Sequence, residues 1–105
     1  RSFICTPLYM APEIILENPY NEKADLWSMG IMAIELAEGQ APNSGLTPVV
    51  VLKRIVMSPS PKLKDDLGFS GDFHDFVNQC LQKDINVRPD AEQLLTHPFY
   101  LAGLA

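Results

Sequence analysis

The chain has 105 residues, of which 47% are hydrophobic and 20% are charged, and its formal net charge is −5. This length allows one small globular domain, and the composition excludes a disordered segment. Residues 1–50 hold six acidic and two basic side chains, so there is no Lys/Arg cluster for a phosphate backbone and we expect no nucleic-acid partner. The acidic excess is consistent with attraction of basic peptides and with a simple contribution to solubility.

The two cysteines, Cys5 and Cys80, lie far apart in the sequence. They form neither a disulfide framework nor a metal-binding spacing such as C-x-x-C, and reduced thiols are typical of cytosolic proteins. His74 and His97 have no Cys or carboxylate cluster at ligand spacing. We therefore expect no metal site, with His74 at the surface and His97 at a helix end.

Membrane-directing segments are not indicated by the pattern of apolar residues. The first ten residues, RSFICTPLYM, contain no apolar run of signal-peptide length. The longest apolar-rich stretch, residues 24–37, is interrupted by Asp25 and Glu35 and is too short to cross a bilayer. The sequence predicts no membrane span, and we expect a cytoplasmic protein.

An irregular loop is predicted near the start of the chain, in the stretch CTPLYMAPE of residues 5–13. Pro7 and Pro12 each fix a backbone angle and remove a donor, which excludes a regular helix or a central strand. The loop ends in Glu13, whose carboxylate lies among prolines and apolar residues and needs a partner. The run EIILEN then predicts a short helical turn with Pro12 at its start, followed by a turn at NPYN.

A long apolar helix is predicted for residues 22–38, which contain good helix formers and end on Gly39. A helix that is apolar on all sides is a buried one, so we expect it to be the central post of the domain. The rest of the chain is too small to wrap it completely. The residues that leave it almost no polar face are Ala24, Leu26, Trp27, Met29, Ile31, Met32, Ile34 and Leu36.

A shorter helix is predicted in the run VVVLKRIV, with Thr47 as its N-cap and Pro48 as its first helical residue. The β-branched residues of this run also suit a strand, so periodicity alone leaves both open. Residues 57–68, which include Pro59 and Pro61, predict an extended connector.

Two capped helices are predicted in the last third of the chain. Ser70 is positioned to cap the helix GDFHDFVNQCLQK. Asp90 and Gln93 form a capping-box pattern before a last helix, AEQLLT, which is expected to stop at His97 and Pro98. The chain is thus predicted to be all-α with one irregular loop at its front. One face of the first of these helices carries Phe73, Phe76, Val77, Cys80 and Leu81.

These motifs resemble the second half of a eukaryotic Ser/Thr protein kinase catalytic domain, and the resemblance covers the whole chain. CTPLYMAPE resembles the end of the activation segment with its Ala-Pro-Glu motif. DLWSMG, residues 25–30, resembles the D-x-W-x-x-G start of the large kinase helix αF, and Arg88 lies where the family has a late arginine. The run HDFVNQCLQKDINVRPDAEQLLTHPF is most similar to the sterile-twenty group and its germinal-centre-kinase branch.

The resemblance implies a fold class and a domain organisation. It implies an all-α, partial kinase C-lobe with helices αEF, αF, αG, αH and αI, in which the N-lobe and the catalytic loop are absent. Residues 1–105 then form one partial kinase domain. Residues 1–13 would be the end of the activation segment with its substrate loop, and residues 14–105 the helical C-lobe.

The resemblance also implies structural roles for four residues. Glu13 is expected to form an ion pair with Arg88, because a buried carboxylate needs such a partner. The alternative is two independent surface charges, which the flanking prolines and apolar residues disfavour. Asp25 is implied to accept hydrogen bonds from the catalytic-loop backbone, although an acidic residue near a helix N-terminus is favourable by itself. Trp27 is implied to be structural.

The substrate loop is the part of the chain that the resemblance brings closest to chemistry. Thr6 is implied to hydrogen-bond the catalytic aspartate and the neighbouring lysine, and the T-P-x-Y pattern implies Ser/Thr specificity. Cys5 stands where the family usually has glycine, which restricts the backbone. The residues implied to shape the pocket for the substrate residue after the phosphoacceptor are Pro7, Leu8, Tyr9 and Met10.

Ser2 aligns with the activation-loop phosphosite of the sterile-twenty and related groups. A phosphate added there by an upstream kinase would order the loop by pairing with arginines of the catalytic core. An ordinary exposed serine is equally consistent with the sequence.

The motifs that perform phosphoryl transfer in this family do not occur in these residues. The sequence contains no G-x-G-x-x-G, no lysine in a V-A-I-K-like strand, no H-R-D and no D-F-G. No catalytic residue and no bound cofactor are therefore expected in this segment, and the chain alone is expected to be inactive. ATP and Mg²⁺ are implied for the complete kinase, with protein or peptide substrates and the N-terminal half of the kinase domain as partners.

Two functions stay open at this point. The segment either provides substrate recognition in a Ser/Thr protein kinase, or is a pseudokinase-like or truncated interaction module that offers residues 47–56 and the substrate loop to partners. The apolar helix without its upstream cover also predicts self-association or swapping of the isolated chain. A monodisperse monomer that unfolds cooperatively would contradict that expectation.

Overall fold

The structure, a computed structural model, describes residues 7–103, which form six α-helices and one 3-10 turn with no strand. The predicted all-α fold class is thereby confirmed. Within the same residues no helix is long and apolar enough to cross a membrane. The helices are α1 (Pro12–Ile15), α2 (Lys23–Glu38), α3 (Pro48–Met57), α4 (Gly71–Cys80), α5 (Ala91–Leu95) and α6 (Pro98–Ala102).

Helix α2 is the centre of the fold, as its composition predicts. It begins one residue after the predicted start and ends at Glu38, and the C-cap residue Gly39 has a left-handed φ of 92°. That conformation costs glycine little because it has no Cβ. Trp27, Ile31 and Ile34 are buried in the main hydrophobic core, and α4 packs along the helix.

One face of α2 is exposed, so the prediction of a helix buried on all sides is wrong for that face. Asp25, Met32 and Leu36 lie on it at spacings of seven and four residues, which is one stripe of an α-helix. Met32 is 45% exposed and Leu36 is 88% exposed. Residues 7–103 leave this face of α2 uncovered, in line with the expectation that the chain is too small to wrap the helix completely.

The run VVVLKRIV is a helix and not a strand. Pro48 is at the first helical position as predicted, but the Thr47 side chain makes no capping hydrogen bond. Val51 and Ile55 are buried, and α1 packs against this side of α3. Burial of one face therefore decides between two conformations that the local sequence permits.

The connector after α3 is extended only in part. It contains a 3-10 turn at Asp65–Leu67, which the proline-rich reading of residues 57–68 does not predict. The next helix begins where Ser70 accepts a hydrogen bond from the backbone N–H of Phe73 at 3.1 Å. This helix ends at Cys80, three residues before the predicted end.

The last helix predicted from the sequence is followed by one more. The Asp90 and Gln93 side chains form the predicted capping box, and α5 ends at Leu95. The chain then turns at His97 and begins α6 with Pro98 as its first residue. Pro98, which the sequence suggested only as a stop signal, is thus the first residue of a further helix, because its fixed φ suits the first helical position.

His97 is a buried connector and not only a helix-end residue. Its Nδ1 accepts a hydrogen bond from the backbone N–H of Phe99 at 3.0 Å, so the ring proton lies on Nε2. That Nε2 lies 2.6 Å from a carboxylate oxygen of Asp75, and this contact holds the pKa of Asp75 below its ordinary value. The ring also meets Phe76 edge to face, so α6 is fastened to α4.

Cys80 is a fully buried thiol at the contact between α2 and α4. Burial raises the pKa of this thiol to about 11, although the nearby Arg88 charge opposes the shift. A protonated, inaccessible sulfur is chemically inert. Cys5 lies outside the described residues.

Candidate functional site

Glu13 and Arg88 form a buried ion pair with two parallel hydrogen bonds. Glu13 lies in the first turn of α1, directly after Pro12, and Arg88 follows the turn after α4. The distances are 2.8 Å from Nη1 to Oε2 and 3.0 Å from Nη2 to Oε1. This fork geometry is the strongest form of an Arg–carboxylate contact. The structure thus brings together two residues that are 75 positions apart in sequence.

The remaining polar atoms of the Arg88 head also have partners. Its Nε donates to the carbonyl of Gln82 at 2.9 Å, and Nη1 donates to the carbonyl of Lys23 at 2.9 Å. The guanidinium carbon lies 5.4 Å from the ring centre of Trp27. One side chain therefore joins α1, the start of α2 and the segment after α4, and each nitrogen of its desolvated guanidinium makes at least one hydrogen bond.

The pKa of Glu13 reflects this pairing. Burial alone would raise it, but the hydrogen bonds from Arg88, a backbone hydrogen bond and the Arg88 charge together lower the pKa below its ordinary value of 4.5. The carboxylate is accordingly ionised at neutral pH. Its contribution to stability is present above pH about 4.5 and is lost as the pH falls through the lowered pKa.

The loop of residues 7–10 is fastened to α2 by two side chains of that helix. Ser28 donates its hydroxyl to the backbone carbonyl of Tyr9 at 2.6 Å. The Tyr9 hydroxyl donates to Oε1 of Glu35 at 2.7 Å, and this hydrogen bond is the main reason that the pKa of Tyr9 is raised. Leu8 and Tyr9 also pack against the main core. The loop is therefore held at its backbone and at its aromatic tip.

Sequence reasoning missed Ser28 and Glu35. Both are polar residues in a mostly apolar helix, and they lie seven positions apart, which places them on one face two turns from each other. This seven-residue spacing is the feature of the sequence that could have identified the two residues as a pair on one face. It did not reveal the partner, because the contact with Tyr9 crosses 19 positions for Ser28 and 26 for Glu35.

The remaining site residues predicted from the sequence differ in burial and in hydrogen bonding. Ser2 and Thr6 lie outside the described residues. The Asp25 carboxylate is exposed and has no side-chain hydrogen bond to residues 7–103. Trp27 is 1% exposed, and its Nε1 has no acceptor within the same range. Pro7 is buried, while Leu8 and Met10 are half-buried beside Tyr9.

Chemical groups for metal binding are not assembled in this part of the chain. Within residues 7–103 no group of three or more His, Cys, Asp or Glu side chains is arranged to hold a metal ion. What the arrangement offers is a loop with buried and half-buried side chains, held by α2 and followed by the Glu13–Arg88 pair. Loops positioned by a rigid scaffold commonly carry binding residues.

An irregular loop mounted on a buried helix and closed by a buried Glu–Arg pair is the architecture expected of a kinase C-lobe. The model of the protein kinase domain family matches residues 1–100 of this chain. The chain belongs to the protein kinase domain family, and the resemblance seen in the sequence is confirmed.

Several curated relatives are Ser/Thr protein kinases by name. The chain is 50% identical to the serine/threonine-protein kinase dst1 of Dictyostelium discoideum over 94% of its length, which covers 13% of that relative. It is 48% identical to the serine/threonine-protein kinase 1 of Arabidopsis thaliana, again over 94% of this chain and 12% of the relative. With the kinase pakE of Dictyostelium discoideum the identity is 50% over 92% of this chain and 10% of the relative. The chain therefore spans about an eighth of the length of these relatives.

Proposed function

We propose that this segment is the substrate-binding part of a Ser/Thr protein kinase, which transfers the γ-phosphate of ATP to serine or threonine of protein substrates. The observation that carries this function is the loop of residues 7–10, held rigidly on α2 by Ser28 and Glu35. A rigid loop loses little conformational entropy when a peptide binds along it. The names of the relatives support the same reaction.

The residues of the loop have distinct roles in this proposal. Thr6 links the loop to the catalytic aspartate and lysine of the complete kinase. Side chains of the loop shape the pocket for the substrate residue that follows the phosphoacceptor. Four residues would hold the loop of residues 7–10 in position without touching the substrate: Glu13 and its partner Arg88, Asp25 and Trp27. The pocket residues are Pro7, Leu8, Tyr9 and Met10.

ATP and Mg²⁺ belong to the complete kinase and not to this segment. They supply the phosphoryl group and neutralise its developing charge. The N-terminal half of the kinase domain would bring these groups and would cover the exposed α2 face of Asp25, Met32 and Leu36. A cytoplasmic location is part of the same proposal and suits the free, buried thiol of Cys80.

Ser2 is proposed as the residue that an upstream kinase phosphorylates to order the loop. The experiment compares activation of the complete kinase by that upstream kinase before and after Ser2→Ala. Loss of activation is expected, because a phosphate adds negative charge that arginines of the catalytic core can pair. Activation that is unchanged in Ser2→Ala would remove this residue from the regulation of the enzyme.

The role of the loop predicts a specific defect in the Tyr9→Phe variant of the complete kinase. The change removes the hydroxyl that donates to Glu35 and nothing else. Loss of one such hydrogen bond costs about 1 kcal/mol, which corresponds to a rise in the KM for peptide of about fivefold. Steady-state kinetics with a serine peptide and with ATP measure the effect, and the KM for ATP should not change.

Tyr20→Phe is the matched control, because Tyr20 is exposed and its hydroxyl has no hydrogen-bond partner in residues 7–103. This variant should retain the wild-type KM for peptide. An unchanged KM for peptide in Tyr9→Phe, or an equal rise in both variants, would contradict a substrate-positioning role for the loop.

A further inference from the structure

The Ser and Thr side chains of the described residues divide into two groups by their hydrogen bonding. The hydroxyls that make a side-chain hydrogen bond within the fold are those of Ser28, Ser44, Ser70 and Thr96, none of which precedes a proline. The hydroxyls that make none with residues 7–103 are those of Thr47, Ser58 and Ser60, and a proline follows each of them. The hydroxyls that precede proline therefore have no part in holding this fold together.

Ser60 differs from the other two because it lies outside the ends of helix α3. Thr47 directly precedes this helix and Ser58 directly follows it. The backbone is extended at Ser58, with φ −91° and ψ 159°, and again at Lys64, with φ −67° and ψ 137°. Residues 59–63 make no backbone-to-backbone hydrogen bond with the rest of residues 7–103. An enzyme can therefore take hold of the chain around Ser60 without breaking helical hydrogen bonds.

Ser60 also lines a polar cleft between the connector and α4. The cleft has a volume of about 310 Å³ and is lined by Ser60, Pro61, Lys62, Asn78, Leu81 and Gln82. Lys62 makes no ion pair with residues 7–103, and among the described residues no carboxylate lines the cleft. Since a water molecule takes about 30 Å³, the cleft has room for a phosphoryl group and several waters.

These features have a common chemical reading. Proline has a fixed φ and no N–H, and it keeps the residue before it extended, so Ser-Pro presents a serine in a form that proline-directed protein kinases can select. A phosphate on that serine adds about two negative charges and three acceptor oxygens. The ammonium of Lys62 and the amide groups of Asn78 and Gln82 are donors for such a group. The unused hydroxyl and the cleft beside it are thus complementary parts of one site.

We propose that Ser60 is a phosphorylation site of a proline-directed protein kinase, and that the cleft beside α4 receives the phosphate. The Oγ–P bond of phosphoserine forms, the bond from the γ-phosphorus of ATP to the bridging oxygen breaks to release ADP, and the hydroxyl proton passes to a base of the modifying kinase. The bound phosphate joins the connector to α4. The site is separate from Ser2 and does not depend on kinase activity of the present chain.

The first experiment treats the complete protein with a purified cyclin-dependent kinase, which selects Ser-Pro and Thr-Pro, and with ATP and Mg²⁺. Trypsin releases the peptide of residues 55–62, and fragmentation mass spectrometry distinguishes phosphate on Ser60 from phosphate on Ser58. The wild type should carry phosphate on Ser60. Pro61→Ala keeps the hydroxyl and should lose the phosphate, as should Ser60→Ala, whereas Ser58→Ala should keep it.

Three outcomes of this experiment would overturn the site. They are phosphate on Ser58 alone, an undiminished level on Ser60 in Pro61→Ala, and no phosphate on this peptide. Phosphate on Ser60 in a sample without the added kinase would assign the modification to the protein's own activity and would overturn the proline-directed source. Since an inactive complete protein is still a substrate, failure of the proposed kinase function leaves this result unaffected.

The second experiment tests the cleft by amide hydrogen exchange of the complete protein before and after phosphorylation. Exchange in the connector and at the end of α4 should slow by about tenfold, since one hydrogen bond to a charged group supplies that much. Phosphorylated Lys62→Met should lose this slowing. Lys64→Met is the matched control and should keep it, because Lys64 lines a different cleft with Glu38 and Gln40. Unchanged exchange on phosphorylation, or equal slowing in Lys62→Met, would overturn the cleft as the place that binds the phosphate.

Discussion

Replacing Arg88 by Met is expected to lower the free energy of unfolding by about 3–5 kcal/mol, because the change leaves the Glu13 carboxylate buried without its partner. The loss includes the hydrogen bonds to the carbonyls of Gln82 and Lys23. Urea-induced unfolding followed by tryptophan fluorescence measures it well. Trp27 is the single tryptophan of the chain, and Arg88 lies over its ring.

Further variants separate the pair from other effects. Glu13→Gln should cost less than Arg88→Met, since Arg88 keeps two carbonyl acceptors when Glu13 is neutralised. The double variant should cost less than the sum of the single variants, which measures their coupling. Lys62→Met, at an exposed position, should stay within about 0.5 kcal/mol of the wild type. A cost for Arg88→Met as small as this would mean that the two charges are independent.

The same series has a pH dependence with a fixed sign. In the wild type the folded pKa of Glu13 is lowered by its partner, so stability declines as the pH falls below about 4.5. In Arg88→Met the hydrogen bonds and the charge of Arg88 are gone, so burial, which raises the pKa of a carboxyl group, is opposed only by the backbone hydrogen bond of Glu13. The stability difference between the two proteins should therefore narrow on acidification, and unfolding curves at neutral and acidic pH measure the change.

Gly30 gives the second large effect, because α4 lies against α2 at this position. A Cβ on Gly30 would be 2.9 Å from the Cβ of Cys80 and 2.9 Å from Cδ2 of Leu81. Both neighbours are fully buried, so neither has free space in which to move. Overpacking of this kind costs about 1–3 kcal/mol. Gly30→Ala should destabilise despite the higher helix propensity of Ala, and Gly30→Val should destabilise more.

Gly71→Ala is the matched control for this substitution. A Cβ at Gly71 meets no atom within 4 Å, and the residue opens α4 at the surface. Its free energy of unfolding should equal the wild-type value or exceed it slightly, since Ala is the better helix former. The D-x-W-x-x-G pattern thus acquires a physical reason for its glycine. Equal stabilities of Gly30→Ala and Gly71→Ala would show that the two helices separate without cost.

Local signals account for the parts of the fold that could be predicted from the sequence. Ser70 and the Asp90–Gln93 capping box act within one helical turn, so their helices begin where the sequence indicates. Helix α2 follows from a run of good helix formers that is ended by Gly39, both of which are local features of the sequence. The partner of Glu13 came instead from the family resemblance, since no local rule connects it with Arg88.

Contacts between distant residues account for what the sequence did not reveal. Helix α6 is held by His97, whose bond to Asp75 crosses 22 positions, and by the stacking of Phe73 on Phe99 with ring centres 4.7 Å apart. The anchors of the loop, Ser28 and Glu35, are also unpredictable until the loop lies against α2. In both cases the local pattern permits a structure that only tertiary packing selects.

Phosphotransfer by the complete protein tests most directly the claim that this segment binds substrate for a Ser/Thr kinase. Radiolabelled ATP and Mg²⁺ would be supplied with matched peptides that carry serine, threonine or tyrosine as the only acceptor. The account predicts label on serine or threonine, none on tyrosine, and a higher peptide KM in Tyr9→Phe. Label on tyrosine, or no transfer by a protein whose upstream catalytic aspartate and lysine are intact, would contradict it.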